Sequence, residues 1–165
     1  MKVIKESIPF IITIICIILI RAFITTPVRV DGISMDNTLK DGEILLLNKL
    51  DNNYERFEVV VFTIQGERLI KRVIGLPGEK VEFKDNSLYI NDALIEDNYG
   101  TGITSDFNIG ELDIDKIKED EYLLIGDNRN DSLDSRYFGT IKKKDIIGTV
   151  KYRLFPFNKL GNIDK

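Results

Sequence analysis

The sequence predicts a mostly β protein in which an N-terminal transmembrane helix precedes a β-barrel-like or folded-sheet domain with a small inserted β subdomain. Two observations indicate this fold class. Residues 8–20 form an uncharged apolar run of the kind that crosses membranes. Beyond Pro27 the apolar segments are short, rich in β-branched residues and repeatedly interrupted by glycine, which favours an all-β barrel or folded sheet.

The first predicted element is a membrane anchor at residues 7–26. About 20 residues of helix are needed to cross a bilayer, and the run IPFIITIICIILI within this segment carries no charge. Arg21 lies near one end, where its long side chain can reach the headgroups. The alternatives are a cleaved secretory signal and a buried helix. A cleaved signal would have small residues in an A-x-A-like pattern after the apolar run, and residues 21–26 offer none.

The charges on either side of the anchor indicate its orientation. Lys2, Lys5 and the amino terminus favour a cytoplasmic position for residues 1–6, whereas Arg21 and Arg29 on the other side reduce this bias. We therefore expect a single-pass protein of the cell membrane, with the domain that follows the helix on the extracytoplasmic face.

The chain after the anchor is predicted to form one main β domain with an insertion. Residues 27–81 and 120–165 hold the more apolar strands of the main domain. Residues 82–119 are less hydrophobic and form the predicted subdomain, with a polar loop at residues 98–110. The predicted strands are residues 28–30, 43–47, 58–62, 68–74, 81–83, 88–90, 121–125 and 145–154.

The composition excludes several classes of function. The chain has no histidine and a single cysteine, Cys16, inside the apolar run, so it lacks the residues of zinc sites and of Cys–His or Ser–His–Asp catalysts. The acidic stretch at residues 127–134 has no glycine at the sixth position that an EF-hand loop requires. A net charge of −4 gives no electrostatic argument for nucleic-acid binding. We expect no metal, no cofactor and no nucleic-acid partner.

Ser34 is the candidate nucleophile, in a loop directly after Gly32 and Ile33. Because the chain offers no imidazole, the proton of this serine must go elsewhere, and a neutral lysine amine is the usual remaining acceptor. Lys71 lies in the apolar strand LIKRVI, where burial would lower its pKa from about 10.4. Arg72 cannot lose its proton and is the candidate salt-bridge partner. The alternative is that both are half-exposed cations of an edge strand.

A polar block at residues 126–136 follows the strand at residues 121–125. It contains two arginines and three aspartates among amide and hydroxyl side chains. It is either a solvated loop or a self-satisfied network of ion pairs and hydrogen bonds that could orient a lysine.

Taken together, these segments resemble type I signal peptidases, the membrane-anchored Ser–Lys endopeptidases that remove signal peptides from exported proteins. The matching blocks, in chain order, are the anchor, Gly32–Met35 with Thr38 and Leu39, Lys71–Gly78, and Gly126–Arg129 with Ser132, Asp134, Ser135 and Arg136. The lysine at position 71 resembles the bacterial branch, since the endoplasmic-reticulum branch uses histidine.

The resemblance implies a role for each matching residue. Ser34 resembles the nucleophile, whose backbone N–H also contributes to the oxyanion hole, and Lys71 resembles the general base. Ser132 resembles the hydroxyl that holds the lysine amine in place, and Met35 resembles a residue that seats the domain on the lipid bilayer. The supporting network would consist of Asp127, Arg129, Asp134 and Arg136.

The implied substrates are signal peptides of secreted preproteins. They would lie extended along a strand edge, with small residues at the first and third positions before the cut in shallow apolar pockets. The pocket candidates, chosen because they flank the proposed dyad, are Val28, Val30, Leu39 and Ile70.

Two positions depart from the family pattern, and Gly32 matches only some of its members. Asn37 stands where proline is usual, so the loop after the nucleophile lacks the rigidity that proline provides. Glu79 stands in place of the usual aspartate, a change expected to matter little. Gly32 lacks the hydroxyl that some members use in the oxyanion hole, which leaves the second donor unidentified.

Two other functions are consistent with parts of the sequence. A self-cleaving Ser–Lys protein of the repressor type shares the fold in outline, but it would need a cytosolic DNA-binding or cleavable N-terminal segment instead of an anchor. A membrane-tethered homologue that binds peptides without cleaving them is favoured only by Asn37.

Overall fold

The computed structural model describes residues 2–163, with side chains described from residue 7 onward. Helix α1 spans Lys2–Phe23, and its apolar side chains from residue 8 onward are exposed. Within the described residues, no helix is both long enough and apolar enough to cross a membrane. The helix ends before the predicted limit at residue 26, because residues 25 and 26 already belong to the first β-strand.

Two antiparallel sheets follow the helix. The strands in chain order are β1 Thr25–Arg29, β2 Ile44–Asn48, β3 Val59–Ile64, β4 Glu67–Gly75, β5 Val81–Lys84, β6 Ser87–Ile90, β7 Ala93–Ile95, β8 Phe107–Asn108, β9 Glu121–Ile125, β10 Ile141–Lys142, β11 Ile146–Phe155 and β12 Gly161–Asn162. The larger sheet has the order β1-β2-β11-β3-β4-β9-β10, with β12 on β11. Because this path has two free ends among the described residues, the sheet is open and folded, and the predicted barrel-like closure is wrong.

The smaller sheet has the order β7-β6-β5-β8 and lies within residues 81–108, in the predicted insertion. Two of its strands, β7 and β8, were not predicted, and β8 lies in residues 98–110, which were predicted to form a loop. Phe107 of that loop pairs with Phe83 of β5. A strand of two residues with a distant partner produces no local alternation that a sequence pattern could reveal.

Strand β3 is buried on both faces, which explains its uninterrupted apolar sequence. Val59 and Val61 pack in the core cluster that also encloses the loop after β1. Val60 and Phe62 pack in a second cluster, against β9. Full burial of a side chain such as Phe62 stabilises the fold by about 1.5–3 kcal/mol relative to exposure. The double-sided burial therefore fixes β3 and its neighbour β4 at the centre of the sheet.

A tight turn joins β3 to β4. Gln65 and Gly66 have φ values of 51° and 87°, as in two-residue hairpin turns whose twist matches that of the flanking strands. The register pairs Ile64 with Glu67 and Val59 with Arg72. It thereby brings Lys71 to the point where β9 joins the other edge of β4.

A short helix, α2 at Ser135–Phe138, ends the polar block and is absent from the predicted elements. Asp134 caps it by accepting a hydrogen bond from the Arg136 N–H at 3.3 Å. The Ser135 hydroxyl accepts from the Leu124 N–H at 3.0 Å and so joins the helix to β9. One turn of helix is too short for an apolar periodicity.

Candidate active site

Ser34 lies in a turn between β1 and β2, and the polar block holds this turn from the other side. The Asn128 backbone N–H donates to the Ser34 carbonyl oxygen at 3.0 Å, and the Asn128 side chain donates to the Ile33 carbonyl oxygen at 3.2 Å. The Asp36 N–H closes the turn onto the Ile33 carbonyl oxygen at 2.9 Å. The backbone of the candidate nucleophile is therefore held by its own turn and by Asn128 of the distant polar block.

The structure brings Lys71 and Ser34 together. Lys71 Nζ donates to Ser34 Oγ at 2.5 Å, across 37 positions of sequence. The Lys71 side chain is enclosed, with only 3% of the residue exposed. The alternative of a half-exposed edge cation is therefore wrong for Lys71.

Burial lowers the pKa of the Lys71 amine from 10.5 to about 8. The negative charges of Asp134 and Asp127 act in the opposite direction, and the positive charge of Arg136 adds to the lowering. With a pKa of about 8, about one tenth of the amines are neutral at pH 7. A neutral amine at this distance can accept the serine proton.

Ser132 lies beside the dyad without a hydrogen bond to Lys71. Its hydroxyl is buried and has no hydrogen-bond partner among the described residues. A Cβ atom at Gly126 would overlap Ser132 Oγ and lie 2.5 Å from the Ser34 carbonyl oxygen. Only glycine at position 126 lets the polar block approach the nucleophile loop this closely. The predicted contact between Ser132 and the lysine stays a prediction.

Arg72 and Asp127 form a fully buried ion pair behind the dyad. Arg72 Nε donates to Asp127 Oδ1 at 2.8 Å and Arg72 Nη2 to Asp127 Oδ2 at 2.7 Å, so the pair is bidentate. The Thr38 hydroxyl donates to Asp127 Oδ2 at 2.6 Å, and the guanidinium carbon of Arg72 lies 3.7 Å from the centre of the Tyr99 ring. The predicted salt-bridge role of Arg72 agrees with this geometry.

Replacing Arg72 by methionine is expected to lower the free energy of unfolding by about 3–5 kcal/mol, because it leaves the Asp127 carboxylate buried without its cation. Denaturant unfolding of the full-length chain measures this. Lys80→Met, which removes the exposed Lys80–Asp92 pair, is the matched control and should leave unfolding unchanged. Equal midpoints for Arg72→Met and the wild type would contradict the prediction.

The two arginines of the polar block have different partners. Arg136 forms a bidentate pair with Asp134, with both distances at 2.9 Å. Arg129 Nη2 donates to Asp97 Oδ2 at 2.5 Å, and its Nε donates to the Gly126 carbonyl oxygen at 2.9 Å. The block is therefore not self-satisfied: Asp134–Arg136 is its one internal ion pair among the described residues, whereas Asp127 and Arg129 pair with residues outside it. Sequence reasoning missed Asp97, because nothing local distinguishes it from other acidic residues of a loop.

Asn37 links the nucleophile loop to the insertion. It has a φ of 137°, which a proline ring fixed near −65° cannot adopt. Its side-chain amide donates to the Tyr99 carbonyl oxygen at 3.1 Å. Tyr99 also covers Arg72, so one short segment contacts both the loop and the ion pair. The loop is therefore constrained by the Asn37–Tyr99 hydrogen bond instead of by a proline ring.

Glu79, the other residue that departs from the family pattern, has a structural contact. Its carboxylate accepts from Arg56 Nη2 at 2.5 Å and from the Leu76 N–H at 2.7 Å. A carboxylate at this position thus fixes the turn after β4.

The four pocket candidates divide into two pairs. Val28 and Ile70 line an open groove of about 260 Å³ between β1 and β4, which we call the Val28 groove. Val30 and Leu39 are enclosed in the core, because the chain folds over them after β1, and cannot contact a substrate directly. Met35 is only 1% exposed and packs in the same cluster, whereas the neighbouring Ile33 is 50% exposed. The structure therefore corrects the expectation that Met35 faces the lipid.

No group of three or more acidic or cysteine side chains among the described residues is arranged to hold a metal ion. The Gly32 N–H donates to the Asp41 carboxylate at 2.9 Å. No acceptor for the Ser34 N–H is found within residues 2–163.

The family model described as "Signal peptidase, peptidase S26" matches residues 4–155 of the chain. The chain belongs to the signal peptidase family. The resemblance drawn from the sequence motifs is thereby confirmed.

Individual signal peptidases are similar over nearly the whole chain. Signal peptidase I of Bacillus amyloliquefaciens is 38% identical over 165 residues, covering 91% of this chain and 86% of the relative. Signal peptidase IB of Staphylococcus aureus strain Mu50 is 37% identical over 177 residues, covering 94% of this chain and 93% of the relative. The crystal structure of a signal peptidase I from Enterococcus faecalis V583 superposes with a TM-score of 0.55 at 35% identity, covering 59% of this chain and 96% of that one. The mostly β signal peptidase fold is thus confirmed.

Proposed function

We propose that this chain is a membrane-anchored serine endopeptidase that cleaves N-terminal signal peptides from exported preproteins, with Ser34 as nucleophile and Lys71 as general base. Its central support is the 2.5 Å contact between Lys71 Nζ and Ser34 Oγ, made by an enclosed lysine of lowered pKa. Within this proposal, residues 27–81 and 120–165 form the catalytic domain and residues 82–119 the inserted subdomain.

The proposed reaction proceeds through an ester intermediate. Neutral Lys71 accepts the Ser34 proton as Oγ attacks the scissile carbonyl carbon, and the resulting ammonium donates that proton to the leaving amine. Lys71 then accepts a proton from water, which attacks the ester and releases the acyl group. The Ser34 N–H, which lacks a partner among the described residues, would donate to the oxyanion.

The supporting network acts on the base rather than on the substrate. Asp134 and Asp127 raise the pKa of Lys71, and each is itself neutralised by a bidentate arginine. Burial lowers the Lys71 pKa more than the two carboxylates raise it, so part of the amine is neutral near pH 7. In this scheme Arg129 and Arg136 hold the loop that carries Ser132, whose hydroxyl would hold the lysine amine in place.

We also propose that α1 anchors the protein in the cell membrane, with residues 1–6 in the cytoplasm and the catalytic domain outside. The exposed apolar side chains of α1 support this, because so large an apolar surface is normally covered by lipid or protein. Ile33 would reach the lipid surface from the nucleophile loop. Alkaline carbonate washing should leave the protein in the membrane pellet, and its release would contradict the anchor.

A cleavage assay tests the proposed activity. The purified full-length protein in lipid vesicles would be incubated with a synthetic signal peptide that has alanine at the first and third positions before the expected cut. Mass spectrometry should reveal one cut after the alanine, and none with Ser34→Ala. If the wild type and Ser34→Ala were equally inert and still bound the peptide, the chain would be a non-cleaving homologue.

A further inference from the structure

Strand β4 has an open edge that leads to the dyad. On one side β3 pairs with it from Glu67 to Arg72. On the other side β9 pairs with it only between Arg72 and Gly75. Residues 67–71 therefore present backbone groups that no strand of the described chain uses. An extended peptide can add to such an edge through main-chain hydrogen bonds.

The side chains on the two faces of β4 contact different surfaces. Arg68 and Ile70 lie on the face of the Val28 groove, where Ile70 packs against the cluster that contains Val61. Leu69 lies on the opposite face and packs against the cluster that contains Phe62. Side chains of a strand alternate between faces. A peptide added at this edge must therefore direct alternate side chains toward the two surfaces.

The Leu69 face has a groove of its own, which we call the Leu133 groove; five of its seven lining residues are apolar, and Gln65 and Glu67 are the polar ones. It has a volume of about 270 Å³ and lies between the β3–β4 hairpin and α2. Its apolar lining residues are Ile64, Leu69, Leu133, Tyr137 and Phe138.

The residues of the Leu133 groove are accessible to a peptide and lie close to the dyad. Leu133 and Tyr137 are 66% and 71% exposed, so their side chains are accessible to a peptide at the groove. Leu133 directly follows Ser132, and Leu69 precedes Lys71 on the same strand face by about 7 Å. The groove therefore begins beside the reacting groups.

We infer that the Leu133 groove is a second substrate subsite, which binds large apolar side chains of the preprotein at positions that alternate with those entering the Val28 groove. This inference rests on the proposed function and adds that the enzyme recognises every second side chain of the substrate in the Leu133 groove. The substrate is the expected occupant because the groove lies beside the open edge of β4, where an extended peptide would bind.

A set of peptides tests the alternation. In a peptide that the wild type cleaves, each position near the cut is changed in turn to leucine or glutamine, and kcat/KM is measured. At every second position, we expect kcat/KM of the wild type to be about tenfold higher for the leucine peptide than for the glutamine peptide. Leu133→Gln and Tyr137→Gln should each abolish that preference, by lowering kcat/KM for the leucine peptides to about the value for the glutamine peptides.

Leu94→Gln is the matched control, since Leu94 is also 66% exposed but lies on β7, in the smaller sheet. It should retain the preference. Loss of the preference in Leu94→Gln, or its persistence in both groove variants, would overturn the inference. So would a wild type that cleaves the peptides without preferring leucine at any alternating position, and in that case the proposed function would stand. A wild type that cleaves none of the peptides would overturn both.

Discussion

Replacing Lys71 by methionine is expected to lower kcat/KM for signal-peptide cleavage by about 10⁴-fold or more. Methionine fills a similar volume but cannot accept the Ser34 proton, and a general base and its nucleophile act as a unit. For the same reason Ser34→Ala should cause a comparable loss, and the double variant should be no worse than either single variant. Steady-state cleavage of the synthetic peptide measures all three.

Two controls separate this effect from misfolding. Lys80→Met removes an exposed lysine and should leave cleavage unchanged. Lys71→Met should unfold at no lower temperature than the wild type, because the folded state disfavours the charged form of this buried lysine. Burial holds the folded pKa near 8, below the unfolded value of 10.5. The unfolded chain therefore binds more protons between these values, and stability rises with pH across that window. Retention of a tenth of the activity in Lys71→Met would contradict the proposed base.

The second large effect is the dependence of cleavage on pH. Because only the neutral amine can act as a base, kcat/KM should rise about tenfold per pH unit below the Lys71 pKa of about 8. It should level off above that value, so that the rate at pH 6 is about one hundredth of the plateau.

Asp134→Asn tests the direction in which the Asp134 charge shifts the Lys71 pKa. The Asp134 charge raises the Lys71 pKa and the Arg136 charge lowers it. Removing the carboxylate should therefore move the midpoint toward acid. A flat profile from about pH 6 to 10 would contradict a lysine base, and an alkaline shift in Asp134→Asn would contradict the assigned electrostatics.

The tertiary structure corrected the sequence-based site where the environment of a side chain mattered. Val30 and Leu39 were predicted to contact the substrate because they flank the proposed dyad, and Met35 was predicted to face the lipid because of the family resemblance, yet all three are enclosed. Sequence adjacency does not determine burial when a loop folds back over its own apolar residues. Asp97 and Tyr99 were missed for a related reason: they reach the site only because the insertion packs against the polar block.

The residue pattern alone was enough to predict the family and the longer strands of the main sheet, but not the two-residue strands β10 and β12. It also led to Ser34 and Lys71 as the proposed dyad. Because the chain has no histidine, a lysine was the candidate base for Ser34, and the apolar run LIKRVI predicted the strand β4 that carries Lys71. The sequence could not determine that Asp127 pairs with Arg72, that Arg129 pairs with Asp97, or that the sheet stays open. Alternation and turn residues act between near neighbours and are visible in the chain, whereas ion-pair partners and sheet closure depend on contacts between distant segments that only folding creates.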